Sequence, residues 1–213
     1  MKRSEVEVVS PDNLGWLEYK LNKQEMDYVW KCIENKKEKI NNTLAGIIKE
    51  SNKLIDRGDW FWKNVLLPLV KRYAEEFDNI GRIPNASRVS HPYELSSWWV
   101  NYQRQTEFNP IHTHGGVYSF VIWMKIPYEY NQQRQLPIAQ HAGNGEEISN
   151  FEFHYINTLG TLRSHIYQMR PEREGTLLFF PAKLNHEVYP FYNCDEERIT
   201  VSGNVVLNTL KTI

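Results

Sequence analysis

What this sequence lacks narrows the possibilities first. It has only two cysteines, Cys32 and Cys194, far apart and in no Cys-x-x-Cys spacing. That argues against a disulfide framework or a cysteine-rich zinc site, and it fits a reducing compartment, with the cytoplasm as the default. Neither sign of charge is in excess: 25 Lys and Arg stand against 26 Asp and Glu, a formal −1. With no global basic field, nucleic acid is disfavoured as a partner, and a small molecule or a protein side chain is the favoured substrate class. Long apolar runs are missing too. "WKNVLLPLV" and "SFVIWMKI" fall well short of a membrane span. The opening "MKRSEVEVVSPDN" has basic residues but no apolar stretch after them, so it does not read as a signal peptide. Internal repeats are absent.

What is present is a chain of one-domain length, 213 residues, rich in aromatics (7 Trp, 12 Tyr, 9 Phe). Rings in that number can fill a core and line a pocket. Residues 1–213 are read as a single domain. Residues 20–80 form helical support: Met26, Val29, Trp30 and Ile33 fall at i, i+3, i+4 and i+7, and Asn22 with Glu25 forms a capping box. A second helix is expected from Asp59 as N-cap, interrupted at Pro68 and ended by Asn79, Gly81 and Pro84. Over 95–210 the pattern turns to strands, among them "LSSWWVNYQR", "GVYSFVIWMKI", "NFEFHYIN", "LRSHIYQM", "GTLLFFP" and "RITVSGNVVLN". Helices followed by strands give an α+β fold, mainly antiparallel β, a sandwich or jelly roll. The polar segment 128–150 is either a substrate lid or a disordered insertion.

Of seven histidines, His91, His141, His154 and His165 read as structural or surface residues. His112 and His114, in "NPIHTHGG", are different. In an extended strand i and i+2 share a face, so both imidazoles can reach one ion. His186, in "FFPAKLNHEVYPF", follows another buried strand and supplies a remote third ligand; the alternative for the pair is a structural role. Arg198 lies twelve residues further on, at the start of "RITVSGNVVL". If "HEVYPF" and "RITVSG" pair as a hairpin, Arg198 comes near His186 and presents a two-pronged donor for a carboxylate. Otherwise it is a surface arginine paired with Glu196 or Glu197. Trp98, Trp99, Phe120 and Trp123 are candidate pocket walls or plain core.

Together, "PIHTHGGVYSFVIWMKIP", "GTLLFFPAKLNHEVYPF" and "ERITVSGNVVLN" resemble the Fe(II)- and 2-oxoglutarate-dependent oxygenase superfamily. The subgroup most similar is found in bacteria and bacteriophages, including phages of marine cyanobacteria. The segments "LAGIIKES" and "DRGDWFWKNVL" are similar to that subgroup less specifically. The resemblance implies a double-stranded β-helix, a cupin-like jelly roll with N-terminal helices packed on it. It implies Fe(II), 2-oxoglutarate as co-substrate, molecular oxygen, and oxidation of a substrate C–H bond. By the family's motif His112 is the first metal histidine and His186 the distal one. Arg198 holds the far carboxylate of 2-oxoglutarate, with Thr200 or Ser202 in support and Tyr102 as a further contact. His114 stands where the family carries Asp or Glu. Three arrangements follow: His114 ligates, or it turns away, or a carboxylate remote in sequence completes the site. A three-histidine cupin-type metalloenzyme without 2-oxoglutarate and an inactive jelly-roll binding module are the alternative functions.

Overall fold

The computed structural model describes residues 14–40, 44–81, 90–140 and 145–211; Pro84 and His141 lie outside them. Two antiparallel sheets carry the architecture. The larger runs β1 (Leu17–Lys20), β8 (Thr176–Pro181), β5 (Tyr118–Lys125), β10 (Arg198–Leu207), β3 (Tyr93–Gln103), β2 (Glu50–Lys53). The smaller runs β4 (Asn109–His112), β9 (Asn185–Val188), β6 (Phe151–Ile156), β7 (Leu162–Tyr167). The jumps in strand order are those of a double-stranded β-helix, the expected α+β jelly roll with N-terminal helices packed on it.

Period-two alternation decides what each face does. On β5, Phe120, Ile122 and Met124 pack under the helices, while Val121 and Trp123 face the second sheet. Both faces are covered, which is why "SFVIWM" is an unbroken apolar run. On β3, Trp98, Val100 and Tyr102 go to the helical side, and Ser97, Trp99, Asn101 and Gln103 line the space between the sheets. On β10, Val201 and Val205 go to the helices, and Thr200, Ser202 and Asn204 face inward.

Helix α1 (Lys23–Glu34) starts on the expected capping box, with Glu25 N–H donating to Asn22 Oδ1 at 3.0 Å and Asn22 N–H to Glu25 Oε2 at 2.8 Å. It buries Val29, Cys32 and Ile33 against the larger sheet. The second helical stretch is capped by Asp56, not by Asp59. Asp59 has φ +55, whereas the Asp56 carboxylate accepts Phe61 and Trp62 N–H at 2.9 and 2.8 Å. The interruption at Pro68 takes the form of a π-helical turn, Trp62–Leu66, directly ahead of α2 (Leu67–Phe77). Pro68 then occupies the first turn of α2, the position where its missing N–H is best tolerated.

Three expectations are corrected. The segment 20–80 is not wholly helical, because Glu50–Lys53 forms the edge strand β2 beside β3. β9 and β10 do not form a hairpin: β9 pairs with β4 and β6, and β10 pairs with β3 and β5. Over its described residues, 128–150 is not a disordered insertion, and none of them lines the space between the sheets. It folds into α3 (Tyr130–Arg134) and α4 (Pro137–Gln140), with Tyr130, Ala139 and Ile148 buried in a small cluster of their own. Among the described residues, no helix is long and apolar enough to cross a membrane.

Gly203 marks the tightest packing. A Cβ there would lie 2.6 Å from a Phe120 ring carbon and 2.7 Å from Trp98 Cβ. Gly203→Ala is expected to overpack this core and cost ~1–3 kcal/mol, read as a lower midpoint in urea; an unchanged midpoint would contradict the packing described.

Candidate metal centre and its cavity

The pairing of β4 with β9 brings two of the predicted histidines face to face, since His112 and His186 are direct cross-strand partners. His114 lies two residues beyond the end of β4. Its N–H donates to Ala182 O at 2.8 Å and its carbonyl accepts Lys183 Nζ at 3.1 Å, which pins the loop to the β8–β9 turn. Gly116 allows the chain to turn back into β5. It has φ +93, and a Cβ there would meet Val205 O at 2.6 Å.

The three rings converge. Their centroids are 4.3 Å (His112–His186), 4.9 Å (His114–His186) and 5.1 Å (His112–His114) apart. His114 Nε2 and His186 Nε2 are 3.1 Å apart, and one nitrogen from each of the three residues falls within a 4.8 Å group. His112 Nδ1 and His186 Nδ1 sit 2.8 and 2.9 Å from the carbonyls of Pro110 and Leu184. A carbonyl only accepts, so each Nδ1 carries the proton and leaves Nε2 as a lone pair. Burial lowers all three basicities. His114 is pushed down to about 4 by desolvation and then by His112 and Lys183, His186 falls well below its ordinary value, and His112 falls as well. At neutral pH this is a cluster of uncharged imidazole donors. Among the described residues no carboxylate belongs to that group, and His114 does not turn away from it.

The rings open into a cavity of about 460 Å³ between the sheets. Trp99, Trp123, Phe151 and Phe180 form its apolar wall, and Trp98 and Phe120 also reach it, although both mainly fill the core beneath the helices. Asn101, Gln103, Thr200 and Ser202 form a polar wall, tied across strands by Ser51 Oγ donating to Asn101 Oδ1 at 2.7 Å. Thr200 and Ser202, expected beside the co-substrate, both line the cavity. Tyr102 does not. It lies on the opposite face of β3, packed against the helical core with Lys36 Nζ at 3.1 Å from its hydroxyl, because it has the parity of Trp98 and Val100. The cavity mouth is lined by Ile40, Leu44, Ala45, Gly46 and Ile48, and by Lys53, the only cation among the described lining residues. Sequence reasoning missed this mouth. The four-residue strand "ESNK" is too short to announce its alternation, although "LAGII" carried an apolar signal.

Arg198 is fully buried and does not line the cavity. Its Nε and Nη2 donate to Gln103 Oε1 at 3.1 and 2.6 Å. Nη2 also donates to Tyr189 O at 3.1 Å, and Nη1 donates to Ser149 O at 2.7 Å and to the Tyr128 hydroxyl. All five N–H groups are engaged, so the expectation of an open two-pronged donor is corrected: the donors point into protein. Neither is it a surface arginine paired with Glu196 or Glu197. Every acceptor is neutral, so the buried charge has no counter-ion among them. Gln103 connects it to the cavity wall.

The other described histidines are placed elsewhere. His91 Nδ1 meets Lys211 O at 2.7 Å, His165 packs its ring 5.2 Å from Trp16, and His154 contacts Glu187 on the outer face of the smaller sheet.

A family model described as "Putative 2OG-Fe(II) oxygenase" matches residues 97–204, the span holding the three histidines and the polar wall. Among solved structures, a Pseudomonas putida prolyl-4-hydroxylase is similar at 11% identity and TM-score 0.52, covering 92% of this chain and 94% of that one. A 2OG-Fe(II) oxygenase family oxidoreductase from Burkholderia pseudomallei is similar at 11% identity and TM-score 0.51, covering 87% and 80%. At these identities the likeness is one of fold. A search of curated protein sequences returns no match.

The lowered histidine basicities have a sign that can be tested. Folded-state values below the ordinary 6.5 mean that the unfolded chain binds more protons, so stability is intact above that value and is lost as pH falls toward about 4. The metal-free protein, melted in chelator, is expected to lose stability progressively across that window, and His114→Gln is expected to flatten the decline. An identical decline in the variant would contradict the buried neutral imidazole.

Proposed function

Because the chain belongs to the 2OG-Fe(II) oxygenase family, we propose that it is a hydroxylase in which His112, His114 and His186 hold the iron. The family is one of oxidoreductases that use Fe(II) and 2-oxoglutarate. The bound iron supplies oxygen activation, coupled to oxidative decarboxylation of 2-oxoglutarate to succinate and oxidation of a substrate C–H bond. The donor set fits a divalent ion. Three uncharged imidazoles converge, and two are held by Nδ1–H to carbonyl bonds that fix ring orientation, the outer support metal-binding histidines usually have. The observation that carries the reading is the pair of Nε2 atoms 3.1 Å apart beside a closed polar wall.

The usual facial site for such iron has two histidines and one carboxylate. Here no carboxylate of the described residues joins the histidines, so an ion held there would keep its full charge and would favour an anionic co-substrate. The far carboxylate of 2-oxoglutarate is received by the hydroxyls of Thr200 and Ser202. The uncompensated charge of Arg198 lies behind Gln103 and acts on it at short range through a low-dielectric core. Trp99, Trp123, Phe151 and Phe180 keep water from that end of the cavity. The substrate enters beside Ile40 and residues 44–48, with Lys53 at the edge. The apolar residues there suit a small molecule or a protein side chain, and the P. putida fold relative is itself named a prolyl-4-hydroxylase. Kinship with bacteriophage members and residence in a reducing cytoplasm complete the reading, in keeping with two free cysteines.

Calorimetric titration of 2-oxoglutarate into the Mn(II)-loaded protein tests the anchor. Arg198→Gln is expected to weaken binding by up to about tenfold, the loss of a through-space attraction of ~1 kcal/mol at the effective dielectric of a protein interior, with Mn(II) affinity unchanged as the check on folding. Thr200→Ala is expected to weaken it less, and His112→Ala to remove the interior equivalent of Mn(II). Equal 2-oxoglutarate affinity in wild type and Arg198→Gln would contradict the Arg198 assignment, and a loss seen only in Lys53→Ala would move the anchor to that lysine.

A further inference from the structure

The alternation that turns Phe151, Phe153 and His186 into the interior turns Glu152, His154 and Glu187 onto the opposite face of the same sheet. There Glu152 on β6 and Glu187 on β9 are direct cross-strand partners. Like charges directly opposite each other in a sheet repel. The arrangement is costlier than usual because Glu152 is only 4% exposed, and its carboxylate has no hydrogen bond among the described residues. The nearest basic atom is His154 Nδ1 at 3.9 Å. Across the strand, His154 Nε2 lies 2.8 Å from Glu187 Oε1. One ring nitrogen and one oxygen of each glutamate fall within 4.8 Å of one another. The neighbouring Tyr189 phenol is pushed up to about 12 by burial and then by Glu187, Glu152 and Glu147.

A buried carboxylate facing a second carboxylate is relieved by a cation or a proton between them, since an unpaired buried charge is costly. Two carboxylate oxygens and one imidazole nitrogen make a donor set suited to a borderline divalent ion. The donors of a tetrahedral ion with bonds of ~2.0–2.1 Å are about 3.4 Å apart, and side-chain rotation closes the gap from the present spacing. We propose that Glu152, His154 and Glu187 form a second divalent-cation site of the Zn(II) or Mn(II) type, back to back with the histidine cluster on the outer face of the smaller sheet. The ion neutralises the Glu152–Glu187 pair and clamps β6 to β9, the strand that carries His186.

The competing arrangement is an ion pair in which protonated His154 alone neutralises the glutamates. Zn(II) uptake, measured against a chromophoric chelator, separates the two. In the His112→Ala/His114→Ala background, which removes the interior cluster, an equivalent of Zn(II) is still bound and raises the melting temperature. Adding Glu152→Gln and Glu187→Gln removes that uptake and that rise. In chelator, with no metal, Glu152→Gln leaves the melting temperature unchanged or raises it, because it relieves repulsion. Absence of Zn(II) uptake in the double-histidine variant would overturn the proposal, as would uptake indifferent to both glutamate substitutions. A metal-free melting temperature that falls in Glu187→Gln, with no Zn(II) uptake beforehand, would assign the cluster to the ion pair. Because the test is run without the interior cluster, its outcome does not depend on whether that cluster holds iron.

Discussion

A guanidinium with no exposed surface, five protein hydrogen bonds and no carboxylate among its partners constrains how this molecule is built. Burying a charge without a counter-ion is tolerated only when every donor is satisfied. Satisfying Arg198 takes β3 through Gln103, the segment after β5 through Tyr128, the approach to β6 through Ser149, and the exit from β9 through Tyr189. One side chain therefore ties both sheets and their connections at the closed end of the cavity. The cost of its charge is offset when an anion lies within reach. The three histidines that share the cavity are uncharged, so the positive charge near it comes from Arg198 behind Gln103 and from Lys53 in the described lining.

The second organising element is the pleat. Each sheet has two faces doing different work, and adjacent residues along one strand serve both. On the larger sheet, Trp98 and Val100 hold the helices while Trp99 and Asn101 line the cavity. On the smaller sheet, His186 faces the cavity while Glu187 faces out. The chemistry on either side is therefore mechanically joined, because any restraint on Glu187 is a restraint on the backbone of His186. The helices are supports. They bury one face of the larger sheet and leave the space between the sheets free.

Much of this was legible in the sequence. The capping box at Asn22, the unbroken "SFVIWM" run and the alternation at 151–155 each correspond to an element. Local chemistry was enough for those. The convergence of His112, His114 and His186 was legible because two were close in sequence and the third followed a buried strand. What failed depended on pairing partners that composition does not encode. Arg198 was expected beside His186 across a hairpin, but β9 and β10 belong to different sheets. Tyr102 was placed by distance from His112, and its parity put it on the wrong face. The cavity mouth came from Ile40, residues 44–48 and a four-residue edge strand, where no period can establish itself, while the long polar segment 128–150 forms short helices over its described residues.

The central claim is that three histidines, with no protein carboxylate, hold the metal. X-ray absorption spectroscopy of the Fe(II)-loaded protein counts imidazole ligands directly. Three coordinated imidazoles in the wild type, reduced by one in His114→Ala, are expected from the converging rings. Two imidazoles in the wild type, unchanged in His114→Ala, would contradict it.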